Sequence, residues 1–375
     1  MSAERGVVVV GAGCIGLGIG WQLAKAGCRV AVYDRQRAGR GASWASAGML
    51  SPLTEAHLAE TDLVHLGLAS AALYPEWVAE LEEDSGVEIG YRRDGALKIA
   101  LDRDDAAQVR HLFETQQRLG LEVEWLRGAE AREREPLLSP RVTAAIWCAA
   151  DHQVDNRRML EALVRAYGKA GGVLCEEAPV ERVEVGNGRA RAVHVGGQRV
   201  EADIVVVAAG CWSATLDGLP EEVRPPVRPV KGQILAVRMG EGVELGKVIW
   251  APDAYLVPKG DGRLVIGATS EEKGFDTSLT AGGLYSILRG AWEAVPGIYD
   301  MPVLETWAGL RPGSRDSAPV LGTTSLEGLL LAAGHFRKGI LLTPVTARDM
   351  ASLVLTGRTP ERMAPFRLSR FAGKG

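Results

Sequence analysis

Five cysteines in 375 residues (Cys14, Cys28, Cys148, Cys175 and Cys211) are too few and too scattered for a disulfide framework. None forms a CxxC pair or a Cys/His cluster at zinc-ligand spacing, so no metal site is expected. Three lie in apolar surroundings, the pattern of reduced core thiols in a reducing compartment, and a cytoplasmic location is expected. No stretch reaches the roughly 20 apolar residues of a membrane span. The apolar run from Val7 to Leu23 is broken by glycines and is not followed cleanly by a small-residue cleavage site, which argues against a secretory signal. Charge of one sign is also lacking: 43 Lys and Arg against 47 Asp and Glu leave −4, which argues against a nucleic-acid surface. There is no internal repeat, no low-complexity linker, no nucleophile elbow, and no metal triad among the six histidines.

Glycine, by contrast, is plentiful at 46 residues, and the length suits two domains. Val7-Val8-Val9-Val10 reads as a parallel strand buried on both faces. It runs into Gly11-Ala12-Gly13-Cys14-Ile15-Gly16, then a helix from Leu17 to Ala26, then a second strand, Arg29 to Asp34. A glycine fingerprint between strand and helix, with an acid about 20 residues on, is the dinucleotide-binding βαβ unit. Gly11 permits the tight turn, Gly13 lets the backbone approach a pyrophosphate, and Gly16 lets the helix pack on the strand. Asp34 is expected to accept ribose hydroxyls, which disfavours a 2′-phosphate.

Further strands are expected at Glu201–Gly210 and Leu329–Gly334, with helices at Arg158–Ala170 and about Thr343–Leu355. Elsewhere the patterning is antiparallel. An Asp94-Gly95 turn sits between strand-like flanks in Tyr91–Leu101, and Lys259-Gly260-Asp261-Gly262 turns a hairpin over Tyr255–Thr269. Val227–Val237 and Val303–Trp307 also alternate. The expected fold class is therefore α/β plus α+β. A Rossmann-like dinucleotide domain (residues 1–85, 151–222 and 308–375) is interleaved with a mainly antiparallel substrate domain (86–150 and 223–307).

The fingerprint alone does not separate NAD from FAD. Three features favour FAD. The small-residue loop Arg40–Leu50, containing Ala42, Ser43, Ala47, Gly48 and Met49, can lie along a flavin and offer backbone amides. The small residues ending at Gly210 let another backbone pass close. Gly334-His335-Phe336-Arg337-Lys338-Gly339-Ile340 opens a helix whose N-terminus can stabilise negative charge on a reduced flavin.

Taken with Trp307-Ala308-Gly309-Leu310-Arg311-Pro312-Gly313 and Val265-Ile266-Gly267-Ala268-Thr269, these motifs resemble the bacterial glycine oxidases of the ThiO type, within the FAD-dependent D-amino-acid oxidase family. The resemblance runs from about residue 6 to 355. It implies flavin contacts at Cys14, Ile15, Asp34, Arg35, Ala42, Ser43, Ala47, Gly48, Met49, Val180 and His335 through Leu341. It implies that Arg311 holds the substrate carboxylate, with Tyr255 and Arg337 also at the substrate. It further implies oxidation of glycine and other small amines, a role in making the thiazole of thiamine, and a homo-oligomer such as a tetramer. Asp253 and Ser270 depart from the group's pattern and bear on pocket shape.

Arginine supplies the planar, permanently charged partner an amino-acid carboxylate wants, although the motif by itself reads more readily as a surface ion pair. The expected chemistry is hydride transfer from the substrate Cα to flavin N5, with oxygen reoxidising the flavin to release H2O2. No acid–base residue stands out, and His335 reads as a flavin-loop residue. Related sarcosine oxidases carry flavin on a late cysteine, and none follows Cys211 here, so FAD is expected to be non-covalent. Two alternatives stay open: a D-amino-acid or secondary-amine dehydrogenase passing electrons to a quinone, and a flavin-binding module without catalysis.

Overall fold

The computed structural model describes residues 6–56, 60–240 and 244–372. Its first elements are β1 (Gly6–Val10), α1 (Cys14–Lys25), β2 (Arg29–Tyr33), the short α2 (Ala42–Ala45) and β3 (Met49–Leu50). There follow α3 (Thr61–Ser85), β4 (Ala96–Ala100), α4 (Arg103–Arg118), β5 (Glu124–Arg127), α5 (Gly128–Arg134), β6 (Ala144–Cys148) and β7 (His152–Gln153). The middle holds α6 (Asn156–Lys169), β8 (Val173–Cys175), β9 (Val180–Gly186), β10 (Arg189–Val195), β11 (Gln198–Glu201) and β12 (Ile204–Val207). The rest comprises β13 (Val227–Arg238), β14 (Val248–Trp250), β15 (Tyr255–Pro258), β16 (Arg263–Gly267), α7 (Ala281–Ala294), β17 (Val303–Ser314), β18 (Val320–Thr323), β19 (Leu329–Ala333) and α8 (Gly339–Thr356).

The β-branched runs form a six-stranded sheet in the order β18-β19-β12-β1-β2-β8, parallel except at its β18 edge. Every residue of β1 is buried because both faces are covered. Val7 and Val9 face a core shared with α1, α3, α6 and α8, and Val8 and Val10 face the three-stranded sheet β11-β10-β9. The eight-stranded sheet β17-β13-β16-β15-β14-β4-β6-β5 is antiparallel apart from the β14–β4 pair. On one face Leu97, Ile249, Leu256 and Ile266 pack against Ile287 and Ala291 of α7. The opposite face, with Ile234, Val257, Val265 and Trp307, turns towards α2 and the first sheet.

Three expectations give way. Tyr91–Leu101 is not a hairpin: β4 pairs with β6 and β14 instead, and the left-handed Gly95 (φ 76°) leaves the place of its Cβ to the Trp147 ring, 2.1 Å away. Glu201–Gly210 is two strands, since β11 pairs with β10 and β12 with β1, the break falling where Asp203 accepts the Gly6 N–H at 2.8 Å. The boundary expected between 307 and 308 falls inside β17, which pairs with β13 from Val303 to Ser314. No helix among the described residues is long and apolar enough to cross a membrane.

Candidate functional site

Both sheets end on one elongated cavity of about 650 Å³, within the range of cofactor and ligand sites. At one end β1 stops at Gly11, which is left-handed (φ 108°) and carries no Cβ because the Ala208 carbonyl lies 2.4 Å from where one would be. Gly16 has the Gly11 carbonyl 1.9 Å from its would-be Cβ, so α1 seats directly on the turn. Gly16 thus packs the helix and does not line the cavity, whereas Gly11, Gly13, Cys14 and Ile15 do. The free N–H groups and positive end of a helix suit a diphosphate there.

Asp34 holds this turn as well as facing the cavity: Ala12 N–H donates to Oδ2 at 2.7 Å and Gln36 N–H to Oδ1 at 2.9 Å. Burial raises its carboxyl above the ordinary value, and the two amides work against that rise. Each oxygen keeps a lone pair for a ribose hydroxyl. Arg35 lies flat on the Trp212 ring, 3.8 Å from its centroid, and both border the cavity with Val180 and Gly210.

Along one wall runs the small-residue loop, its carbonyls drawn outwards. Asn156 Nδ2 donates to the carbonyls of Ser43 and Trp44, both at 2.9 Å, and Trp307 Nε1 to Ala45 at 2.9 Å. Lys259 Nζ donates to Ala47 at 2.6 Å and to Val154 at 2.8 Å, and Ser43 Oγ accepts the Cys14 N–H at 3.1 Å. The N–H groups of Ala47 and Gly48 have no protein acceptor among the described residues. Gly48 itself has no room for a side chain, because the Val154 carbonyl would be 2.1 Å from it. Ala42, Ser43, Ala47, Gly48 and Met49 all border the cavity.

From the other side comes the segment before α8. His335 is 4% exposed and Nε2 meets Thr346 Oγ1 at 3.2 Å; burial alone pulls its pKa down to about 3, so the ring is neutral. Phe336 takes a left-handed conformation (φ 48°), which presents Gly339 and Ile340, in the first turn of α8, to the cavity. Arg337 is exposed at the cavity, 5.0 Å over the Phe336 ring. Lys338 and Leu341, both expected at the flavin, do not line it. Lys338 turns to Glu55 at 3.6 Å, and Leu341 is buried in the helical layer, its carbonyl accepting from Ser70 Oγ.

Arg311 rises from β17 across β13, its guanidinium lying where a Gly232 side chain would be, 2.5 Å from that Cβ position. Nη1 donates to the Thr269 carbonyl at 3.1 Å and more weakly to Lys231 at 3.4 Å. Gly267 likewise makes room for the Tyr255 ring, whose hydroxyl would be 2.4 Å from a Cβ there. The Tyr255 phenol and the Arg311 guanidinium are close enough to influence each other's titration. Burial lowers the Arg311 pKa and raises that of Tyr255, leaving guanidinium and neutral phenol. Neither Arg311 nor Arg337 has a carboxylate within 4 Å among the described residues. A free guanidinium of this kind can take a ligand carboxylate in a bidentate contact.

Asp253 and Ser270 border this end of the cavity, together with Glu55, Lys98 and Trp250, which sequence reasoning missed. Nothing in their local sequence marks them. Lys98 and Trp250 meet because β4 and β14 are neighbours in the sheet, and Glu55 comes from the segment before α3.

The long groove, the helix N-terminus at one end, the loop with spare amides and the paired Arg311 and Tyr255 at the other suit FAD beside a small carboxylate-bearing substrate. Comparison with known proteins agrees on the cofactor. The profile of the family described as "FAD dependent oxidoreductase" matches residues 6–353. The chain is 36% identical to a glycine oxidase of Geobacillus kaustophilus over 376 residues, covering 100% of this chain and 99% of that one. It is 34% identical to a bifunctional ThiO/ThiG protein of Trichormus variabilis over 98% of this chain and 55% of that protein. The crystal structure of a Bacillus cereus glycine oxidase superposes with a TM-score of 0.90 at 32% identity, covering 98% and 99% of the two chains. The chain belongs to the DAO family of FAD-dependent oxidoreductases.

Proposed function

We propose that this FAD-dependent amine oxidoreductase oxidises glycine and other small amines, among them sarcosine and small D-amino acids. The observation that carries this reading is the Arg311–Tyr255 pair at the end of the cofactor groove, a charged fork beside a phenol, the arginine having no carboxylate within ion-pair distance among the described residues. Arg311 takes the substrate carboxylate, Tyr255 adds a hydrogen bond, and Arg337 closes the open side. Two Arg311 contacts to backbone carbonyls stop the guanidinium rotating, so the substrate carbon is held in one orientation.

Bound FAD supplies the two-electron acceptor. The Gly11–Gly16 turn and α1 hold its diphosphate, Asp34 its ribose, and the 42–49 loop with the start of α8 its ring system. His335 lines the groove as a neutral imidazole whose Nε2 is engaged with Thr346 Oγ1, so it would bring no charge to a bound cofactor. The amine loses two electrons and two protons to become an imine; water then releases glyoxylate (from glycine) and ammonia, and O2 takes the electrons to H2O2. We further propose that FAD is bound without a covalent link and that the imine feeds thiazole formation for thiamine.

The test is anaerobic addition of glycine, sarcosine and D-alanine to the yellow holoenzyme, followed by air. Bleaching, then recovery with peroxide, supports the oxidase. Bleaching without peroxide moves the reading to a dehydrogenase, and no bleaching by any of the three removes it.

A further inference from the structure

Beyond Arg311 and Arg337, the substrate end of the cavity carries a third cation, Lys98. Its Nζ lies 5.8 Å over the Trp250 ring, and no carboxylate stands within ion-pair distance among the described residues. The carboxylates nearby have other partners. Glu55 meets Lys338 at 3.6 Å, and Asp253 meets Arg289 at 3.6 Å. Burial lowers the Lys98 pKa, and the field of Glu55 only partly offsets this. A half-buried ammonium with no carboxylate at ion-pair distance among the described residues is a cost that the fold keeps, and an arriving anion removes it.

The sheet sets where that anion would sit. Lys98 is in register with Trp250, and Trp250 with Tyr255, on neighbouring strands. Residues in register on paired strands share a face, so all three look into the cavity. Lys98 and Tyr255 are two strand spacings apart, about 10 Å along the backbone. The long Lys98 side chain leans over the intervening Trp250 ring and shortens the gap. The apolar ring between the two polar ends matches a short hydrocarbon span.

We propose that Lys98 and the face of Trp250 form a second anion subsite, and that the preferred amines carry another acidic group besides the carboxylate held at Arg311. This rests on the reading of Arg311 as the carboxylate-binding residue. Substrates of this class include N-carboxymethylglycine and acidic D-amino acids.

The experiment titrates the FAD-loaded protein by calorimetry with acetate and with diacids from malonate to adipate, none of which can be oxidised as an amine. At least one diacid is expected to bind about tenfold more tightly than acetate, or ~1.4 kcal/mol. Lys98→Met is expected to remove that advantage and Lys98→Arg to keep it, with the flavin spectrum checking the fold of each. Diacids binding no better than acetate, or an advantage that survives in Lys98→Met, overturns the subsite. Acetate binding that survives Arg311→Met overturns the reading of Arg311 instead, since the Lys98 comparison is scored separately on the diacids.

Discussion

The Tyr74 hydroxyl, on α3, donates at 2.5 Å to the carbonyl of Ile340 in the first turn of α8. Four residues further on stands Pro344, which has no N–H to give that carbonyl. The phenol therefore supplies the bond that the proline removes, in a place where an unpaired carbonyl has no water to turn to. Ser70 Oγ bonds the next carbonyl, Leu341, at 2.5 Å. These two contacts tie the long helix to the turn that borders the cofactor groove.

Tyr74→Phe is expected to leave the Ile340 carbonyl buried and unsatisfied, at a cost of about 1–3 kcal/mol. Chemical denaturation checks this. A change under about 0.5 kcal/mol means the helix relaxes around the proline without help.

Arg311→Lys keeps the charge and loses the fork. We expect kcat/KM for glycine to fall by about 10- to 100-fold, the worth of a charge-assisted hydrogen bond of 1.5–3 kcal/mol. The flavin spectrum is expected to stay as in the wild type. Steady-state kinetics with an unchanged spectrum would separate substrate binding from cofactor binding.

Gly232→Ala tests the same site without touching a polar group. The new Cβ would lie 2.5–2.7 Å from the guanidinium atoms of Arg311, at the far end of a long side chain, and would push them off the Thr269 and Lys231 carbonyls. The expected result is an almost unchanged Tm and a KM for glycine raised about tenfold, roughly 1.4 kcal/mol of lost binding.

Two buried groups pull stability in opposite directions in acid. His335 titrates near 6.5 when unfolded and about 3 when folded, so between those values the unfolded chain binds the extra proton and stability falls as pH falls. Asp151, pushed up to about 6 by burial while accepting N–H groups from Leu53 and Thr54, binds its proton earlier in the folded state. Between about 6 and 3.8 it therefore favours the fold as pH falls. Denaturation midpoints of His335→Asn and wild type should converge as pH drops from 6.5 towards 3. Parallel curves would show that His335 is not buried neutral.

Lys259 gives the alkaline counterpart. It is 4% exposed, with three neutral acceptors (Ala47, Val154 and Gln153), and burial lowers its pKa to about 7. From pH 7 to 10.5 the unfolded lysine still holds a proton that the folded one has released, so its contribution to stability rises with pH across that window. Lys259→Met should abolish this slope. It should also weaken FAD binding, read by flavin fluorescence on dilution, because the Ala47 carbonyl loses its anchor.

Much was legible in the sequence because it depends on residues close in the chain. The Val7–Gly16 turn follows from β-branched residues meeting glycines that no side chain can replace. The hairpin at Lys259–Gly262 follows from local turn chemistry: Tyr255–Pro258 pairs with Arg263–Gly267 as expected. Among the elements missing were α3, α4 and β8. In α3, Pro75 and a run of small residues mask the helical period, and the helix is held by Tyr74, Ser70 and Trp77 packing against distant elements.

By itself, then, the sequence determined the dinucleotide turn and the strands that continue it, since local backbone preference decides these. Only the tertiary structure decided that Lys338 and Leu341 turn away from the groove, that Gly95 makes room for Trp147, and that Lys98, Trp250 and Tyr255 stand side by side. Those depend on strand order and on which side chains compete for one space, and residues more than 150 positions apart carry no mark of each other until the sheet brings them into register.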